Sequence, residues 1–361
     1  MEFGLSSEQD MMCQSLERAM SAQAGLAHAR QCATQPSREP TPAWRSLTAL
    51  GATGLLVPAA QDGLELGMFD AALTAQVLGR HVATTPFLAH TLATLAIGSS
   101  DDGNAARKLL SRLARGDTAV GVALSEAATA PRDGAGVRRE GDLLHGSALF
   151  VMGQPADGHV LLADQHRQMH LVPARTPGLQ SRPMPSVDAT TPLVELRLEG
   201  VPVQPLFSTE PADHLARVIA AGRVLLAADA LGAAEHLQAQ ALAYVQQRRQ
   251  FGRAIGSFQA IKHLFADMAA ALEPARSLLW HAAHAQDHDP GQRSLLAALA
   301  KAHIADATQA IARTCIEMHG AMGITDELGL HFWFQRIAQG RQLLGGPAAL
   351  RQEAARLQGL C

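Results

Sequence analysis

The sequence predicts an α+β fold in which a small β domain lies between an N-terminal helical domain and a C-terminal helical bundle. Three patterns support this prediction: helical spacing of apolar residues over 1–116, short branched runs with turn residues over 117–210, and long alanine-rich helical stretches over 211–361. The 361 residues, 47% of them hydrophobic, are enough for a large core shared by two or three domains.

The N-terminal segment opens with an amphipathic helix. In "LSSEQDMMCQSLERAM", either Ser6 or Ser7 can serve as the N-cap, and apolar residues follow at helical spacing. The stretches "FDAALTAQVLGR" and "NAARKLLSRLAR" repeat this spacing, with Gly and Pro clusters between the helices. We therefore expect residues 1–116 to form a helical domain.

The middle and C-terminal segments differ in periodicity. The runs "TAVGVALSE", "LLHGSALFVM", "HVLLAD", "QMHLVPA" and "LVELRLEGVPV" have the branched residues and partial alternation of β-strands. Beyond residue 211 we expect long helices at about Asp213–Gln247, Phe258–Gln286 and Gly291–Met318, whose apolar stripes suit a bundle.

Composition argues against several classes of protein. A net charge of −3 and an aromatic content of 4% favour neither nucleic acid nor an anionic membrane surface as a partner. The apolar region Val218–Ala234 is interrupted by Arg223 and Asp229, so we expect no membrane span. The acidic, polar N-terminus does not resemble a signal peptide. Four cysteines without CxxC spacing predict a reducing, cytoplasmic setting.

The most informative stretch is "YVQQRRQFGRAIGSFQAIKHLFADM", at Tyr244–Met268. Its pattern predicts a helix that ends near Arg248–Gln250, a turn through Gly252 and Gly256, and a second helix that begins near Ser257. A guanidinium at such a turn can bind a phosphate through two parallel hydrogen bonds. The alternative for any isolated pair of arginines is a solvated helix end.

This stretch resembles the signature of the acyl-CoA dehydrogenase family. It contains R-x-x-F-G, A-I-x-x-F-Q and H-x-x-A-D-M, and "GVALSE" and "MHGAMGITDELGLHFWFQR" are similar to further family segments in the same order. The resemblance implies the family's fold, an FAD cofactor, an acyl-CoA substrate and α,β-dehydrogenation. It also implies an oligomer in which one subunit's β domain holds the isoalloxazine ring and a neighbour's bundle holds the diphosphate and adenosine.

Carried over residue by residue, the resemblance implies two sets of FAD-binding residues. The set offered to a neighbour comprises Arg248, Gln250, Phe251, Gln259, Glu317 and Gly320. The set for this subunit's own flavin ring comprises Ser125 and Phe150. The second set departs further from the family, because the segment Leu124–Gly136 has lost the family's Pro and G-S-D. Met152 also lacks the hydroxyl that the family places beside the flavin.

Both positions that the family uses for its catalytic base are glycines here. Counting from Arg336, which matches a family arginine, the usual Glu falls on Gly345, and the alternative position on the first bundle helix falls on Gly222. The resemblance therefore implies no catalytic residue at either position. Arg223 matches an arginine near the acyl-CoA entrance, although a salt bridge within the bundle would explain it equally well.

Three hypotheses remain open from the sequence. The chain can be the non-catalytic half of a heteromeric acyl-CoA dehydrogenase that lends FAD-binding residues to a homologous, base-carrying partner and acts on bulky, steroid-type acyl-CoAs. It can instead be a self-sufficient homo-oligomer with a relocated base, or a flavin-free structural subunit. Candidates for a relocated base are Glu317, Asp326 and Glu327, although we expect the last two to cap a helix that begins near Leu328. We expect no metal at His281, His284 and His288, which fit a solvated helix end better.

Overall fold

The computed structural model describes residues 4–34, 40–101, 103–129, 132–153, 157–207 and 209–360. Its N-terminal part is helical and contains α1 (Ser7–Gln23), α2 (Leu26–Thr34), α3 (Pro42–Ala49), α4 (Met68–Arg80), α5 (Phe87–Gly98) and α6 (Gly103–Ala114). Ser6 is the N-cap of α1. Its hydroxyl accepts from the Gln9 amide at 3.2 Å, and the Gln9 side chain accepts from the Ser6 amide at 3.0 Å. This reciprocal pair is a capping box that fixes where the chain becomes helical.

A seven-stranded sheet follows, with the strand order β5-β4-β1-β3-β7-β6 and with β2 paired to β3. Its strands are β1 (Ala119–Ala123), β2 (Gly136–Glu140), β3 (Leu143–Met152), β4 (Gly158–Ala163), β5 (Met169–Pro173), β6 (Leu179–Pro183) and β7 (Leu193–Pro202), and the short α7 (Ser125–Ala128) comes after β1. The β1–β4 pair is parallel, and the other pairs are antiparallel. Between Ala148 and Val151 the β3–β7 register shifts, so β3 bulges at Leu149 and Phe150.

The C-terminal part is a helical bundle made of α8 (Pro211–Gln247), α9 (Gln259–His288), α10 (Arg293–Met318), α11 (Leu330–Gln342) and α12 (Pro347–Leu357). A hairpin of β8 (Arg249–Gln250) and β9 (Arg253–Ala254) joins α8 to α9. Glycines let α8 approach α4 closely. A Cβ atom on Gly79 would collide with the Asp229 carbonyl, and one on Gly232 would collide with the Gln76 carbonyl.

Arg336 joins the bundle to the rest of the molecule. Its buried guanidinium donates to the Asp229 carboxylate at 2.7 and 2.8 Å, to the Ala83 carbonyl at 3.0 Å and to the Thr190 hydroxyl at 3.3 Å. These partners come from α8, from the chain after α4 and from the loop before β7. One side chain of α11 therefore fixes the relative positions of the bundle, the N-terminal helices and the sheet.

The predicted fold class is confirmed: two helical parts flank a β-sheet, and the second helical part is a bundle. The predicted cap at Asp326 and Glu327 is wrong. Helix α11 begins at Leu330 after Gly329, whose φ of 65° is left-handed, and no side chain caps it. Arg30 instead contacts the Asp326 carboxylate at 3.4 Å and the Glu327 carbonyl at 2.9 Å. Within the described ranges, none of the helices is both long and apolar enough to cross a membrane.

Candidate cofactor and acyl sites

The hairpin after α8 places the predicted phosphate-binding arginines on the surface. Arg249 pairs with Ala254 and Gln250 with Arg253, which leaves a two-residue loop. Both loop residues have positive φ, 53° at Phe251 and 79° at Gly252. This is the geometry of a type I′ turn, which matches the twist of the flanking strands and explains the glycine. The turn carries the Phe251 ring out of the protein, with 91% of the residue exposed.

Two guanidinium groups at this hairpin are free to bind an anion. Arg248 and Arg249 are exposed, and neither side chain makes a hydrogen bond or ion pair with another described residue. The neighbouring Arg253 instead lies 4.0 Å above the ring of Phe258. Free, exposed guanidinium groups bind phosphate oxygens bidentately, so the hairpin fits the diphosphate of FAD.

Gln259 adds a second polar group at this end of the bundle. It is the first residue of α9, where unpaired backbone amides carry the positive end of the helix dipole. Its amide nitrogen lies 3.0 Å from the His263 imidazole, one turn further along the helix. The side chain is exposed, so both it and the helix terminus are accessible to an anionic ligand.

The predicted adenosine-side residues lie at the same end of the bundle. Glu317 is exposed in the last turn of α10, and Gly320 follows with a left-handed φ of 60°. Between them, His319 packs against Tyr244, with ring centroids 4.5 Å apart, and its carbonyl accepts from the tyrosine hydroxyl at 3.4 Å. Because Tyr244 is one turn before Arg248, this contact holds the two predicted groups together.

Sequence reasoning missed Tyr244 as the residue that connects these groups. The available signal was modest: it is the single tyrosine of the chain and lies four residues before Arg248. The same end of the bundle also exposes large apolar side chains, namely Phe251, Met322 and Ile324, the last at 80%. Apolar residues grouped around free arginines are typical of a surface that another molecule covers.

The predicted site for the chain's own flavin ring has a different structure. Ser125 was expected on a strand, but β1 ends at Ala123 and Ser125 begins α7. Its hydroxyl is buried and has no hydrogen-bond partner among the described residues. The adjacent Glu126 carboxylate accepts from the Leu149 amide at 3.1 Å, and burial raises the pKa of this carboxyl. Ala130 and Pro131, in the segment that departs from the family, lie outside the described residues.

Phe150, the aromatic residue expected to cover the flavin, lies in the bulge of β3 with a φ of 55°. The guanidinium of Arg132 is 5.0 Å above the centroid of its ring, and one nitrogen is 3.9 Å from the Glu126 carboxylate. Arg132 therefore covers one face of the ring through a cation–π contact. The unpartnered Ser125 hydroxyl fits a polar ligand, whereas the covered Phe150 ring does not fit a stacked flavin as it stands.

The two glycines predicted at the base positions, Gly345 and Gly222, meet at one loop. Gly345 lies in the loop 343–346 between α11 and α12, with a φ of 112° that other residues rarely adopt. Its carbonyl accepts from the buried Lys301 ammonium at 2.8 Å. A Cβ atom on Gly222, inside α8, would run into the side chain of Leu344. The space beside Gly222 therefore contains a side chain of this loop.

Arg223 has a buried partner set within the bundle. Its guanidinium donates to both Glu353 carboxylate oxygens, at 2.6 and 2.9 Å, and to the Leu344 carbonyl at 3.0 Å. This is the salt bridge that the sequence left as an alternative account of Arg223, and its role toward acyl-CoA stays a prediction. Sequence reasoning missed Glu353, because no motif marks it and its partner is 130 residues away.

The acidic candidates for a relocated base do not reach the loop 343–346. Glu317, Asp326 and Glu327 make no hydrogen bond or ion pair with that loop among the described residues. Glu353 is connected to that loop through Arg223, yet both its oxygens accept from Arg223, which leaves it poorly placed to take a proton. As for the histidines of α9, His284 and His288 pack with ring centroids 4.3 Å apart. No cluster of three or more potential metal ligands occurs within the described ranges.

Comparison with known proteins agrees with this architecture. The acyl-CoA dehydrogenase N-terminal domain matches residues 6–117, and the acyl-CoA dehydrogenase C-terminal domain matches residues 214–355. Acyl-CoA dehydrogenase IpdE2 of Mycobacterium tuberculosis is 29% identical over 341 residues, which cover 94% of each chain. Acyl-CoA dehydrogenase FadE34 of the same organism is 32% identical over 308 residues, which cover 84% of this chain and only 40% of FadE34.

Among solved structures, the steroid acyl-CoA dehydrogenase Tcur3481–Tcur3483, in its G363A variant, superposes with a TM-score of 0.88. It is 27% identical, and the match covers 98% of both chains. The chain belongs to the acyl-CoA dehydrogenase family, whose members are oxidoreductases.

Proposed function

We propose that this chain is the non-catalytic half of a heteromeric, FAD-linked acyl-CoA dehydrogenase. It lends the hairpin at Arg248, together with Gln259, to an FAD whose ring, base and acyl-CoA lie on a homologous partner. The observation that carries this proposal is an asymmetry. Within the described part of the chain, the exposed Arg248 and Arg249 side chains have no hydrogen-bond or ion-pair partner, whereas Arg132 covers the Phe150 ring and Leu344 occupies the space beside Gly222.

In this proposal the residues of this chain bind and orient FAD, and the partner performs the proton transfer. Arg248 neutralises diphosphate charge, and the amides at the start of α9 add to the attraction. When bound, FAD supplies the acceptor for the β-hydride. The α-proton goes to a carboxylate of the partner, because Gly345 and Gly222 carry none and Glu353 is held by Arg223.

We propose bulky, steroid-type acyl-CoAs as the substrate class. The support is the likeness to the superposable structure, a steroid acyl-CoA dehydrogenase with two named components, at 27% identity. A cytoplasmic location remains a prediction, made from the composition of the chain.

Flavin content and turnover test the proposal together. The chain is produced alone and with the homologous acyl-CoA dehydrogenase chain encoded nearest to it. We expect a colourless, inactive protein alone and an active complex with one FAD for every two chains. A yellow lone chain that reduces an electron acceptor with an acyl-CoA would make it a self-sufficient dehydrogenase, and an active complex whose FAD is independent of this chain would make it a structural subunit.

Replacement of Arg248 tests the lent residue directly. In the complex, R248A should weaken FAD retention by ~10-fold or more, because it removes a charge-assisted bidentate contact. R138A, which alters an exposed arginine of β2, is the matched control and should retain FAD as the unaltered complex does. FAD released on dilution, measured by flavin fluorescence, gives the comparison, and equal release from both variants would contradict the role of Arg248.

If the chain were self-sufficient, Glu353 would be the carboxylate to examine first. Glu353 is connected to the loop 343–346 through Arg223. The Arg223 Nη2 atom would lie 3.7 Å from a Cβ atom on Gly345. An E353Q variant of the lone chain that lost turnover but kept its FAD and its fold would support that alternative. Unchanged turnover would remove Glu353 as a base.

A further inference from the structure

Leu344 has an unusual backbone and a fully buried side chain. Its φ of 55° is in the left-handed region, which leucine seldom adopts. The residue is nonetheless 0% exposed, in the middle of a four-residue loop. A strained leucine that is completely buried requires contacts that hold it in place, and the structure provides them.

The Leu344 side chain occupies the place where the family's alternative base would begin. A Cβ atom on Gly222 would lie closer to the Leu344 Cδ1 atom than non-bonded carbon atoms approach one another, and 3.1 Å from the Leu92 Cδ1 atom. Leu92 is also fully buried. Gly222 therefore does not open a wide space here, because two leucines of the chain itself fill it.

Two buried cations hold the loop in this conformation. Arg223 donates to the Leu344 carbonyl at 3.0 Å, and Lys301 donates to the Gly345 carbonyl at 2.8 Å and to the Arg341 carbonyl at 3.1 Å. On the other side, Leu350 lies 3.0 Å from the Cβ position of Gly345. The loop thus has fixed contacts with α8, α10 and α12.

We propose that Leu344 closes this subunit's own acyl position and is the residue that excludes an acyl chain from it. Arg223 and Lys301 are positioning residues that hold the loop so that Leu344 packs on Gly222. This inference rests on the proposed function, in which the acyl-CoA lies on the partner. It identifies the physical reason why the chain does not bind the substrate a second time.

Ligand binding to the flavin-free lone chain tests the inference. By titration calorimetry, the wild type should bind octanoyl-CoA no more tightly than CoA, because the acyl chain has no place to enter. L344G should bind octanoyl-CoA at least ~10-fold more tightly than the wild type while its affinity for CoA stays unchanged. L237A removes a buried leucine elsewhere on α8 and should gain nothing.

Two results would overturn the inference: a wild type that already prefers octanoyl-CoA to CoA tenfold, or L344G and L344A variants that both bind as the wild type does. A thermal unfolding cycle gives an independent readout. G222A should lower the midpoint in the wild-type background and lower it much less in the L344G background, since the collision is then gone. Equal shifts in both backgrounds would mean that the two residues do not compete for space.

The two proposals fail in different ways. Turnover by the lone chain would contradict the proposed function. Octanoyl-CoA binding by the lone wild type without turnover would contradict only the role of Leu344.

Discussion

Lys301 is a buried lysine whose ammonium donates, among the residues that the structure describes, only to the backbone carbonyls of Arg341 and Gly345. Burial, with the nearby charges of Arg223 and Arg341, lowers its pKa from 10.5 to about 7. A neutral amine can still donate to both carbonyls, so the contacts persist when the proton leaves. The charge of this residue therefore opposes folding, while its hydrogen bonds favour it.

Protein stability should depend on pH through Lys301. Between pH 7 and 10.5 the unfolded chain binds this proton more readily than the folded chain, so stability rises with pH in that window, by up to ~1.4 kcal/mol per unit. Below pH 7 Lys301 is protonated in both the folded and the unfolded state, so the full free-energy cost of burying its charge remains. Urea unfolding at pH 7 and pH 9 should show the wild type gaining stability relative to K301M, and parallel behaviour of the two proteins would contradict the shift.

At the residue scale, counting from Arg336 and back from Arg248 predicts that the two base positions of the family fall on Gly345 and Gly222, and this stays a prediction. No spacing indicates that Leu344 fills the space beside Gly222, or that Glu353 neutralises Arg223. Those contacts join residues more than 120 positions apart, and only the packed fold brings them together.

At the scale of the elements, the close approach of α8 to α4 depends on a residue that has no Cβ atom. Gly232 faces the backbone of α4, where a Cβ atom would overlap the Gln76 carbonyl. Gly340 in α11 has room, because its Cβ atom would lie 3.8 Å from Leu226. The two glycines are both inside helices and differ mainly in what lies opposite them.

Alanine at these two glycines should have opposite effects. G232A should destabilise the protein by ~1–3 kcal/mol, because α4 and α8 must separate. G340A should stabilise it by up to ~1 kcal/mol through helix propensity alone. Chemical denaturation of both variants measures the difference, and a shared sign would show that the α4–α8 contact is not as close as described.

Element bounds were largely predictable. The expected helix Asp213–Gln247 is Pro211–Gln247, and the expected Gly291–Met318 is Arg293–Met318, because long apolar periodicity ends where glycine, proline or a polar turn intervenes. The cap of α11 was wrong for a local reason. A left-handed glycine precedes the helix there, and Arg30, nearly 300 residues away, contacts the Asp326 carboxylate and the Glu327 backbone carbonyl.

At the scale of the whole molecule, the hydrogen bonds around Arg336, here called the Arg336 clamp, join distant parts of the chain. The clamp connects α8, α11, the chain after α4 and the loop before β7 through five hydrogen bonds, counting Trp333 of the same helix, which donates to the Arg80 carbonyl. Its partner Asp229 would be left as a partly buried, uncompensated charge if the guanidinium were removed.

Loss of this clamp should cost far more than loss of a surface pair. R336A should lower the free energy of unfolding by ~3–5 kcal/mol, since it leaves the Asp229 carboxylate without its partner. R351A removes an exposed partner of Asp306 and should cost ~1 kcal/mol or less. Urea denaturation followed by circular dichroism compares them, and equal costs would mean that Arg336 does not hold the three parts together.

The exposed Phe251 ring and the exposed Ile324 side chain have a consequence for how this protein is produced in the cell. In the proposed heteromer, a lone copy of this chain would keep these groups in water and would be prone to associate with other apolar surfaces until it meets its partner. Under that proposal, synthesis of both chains in matched amounts would limit such association, and excess copies of this chain would be the first to aggregate or to be degraded.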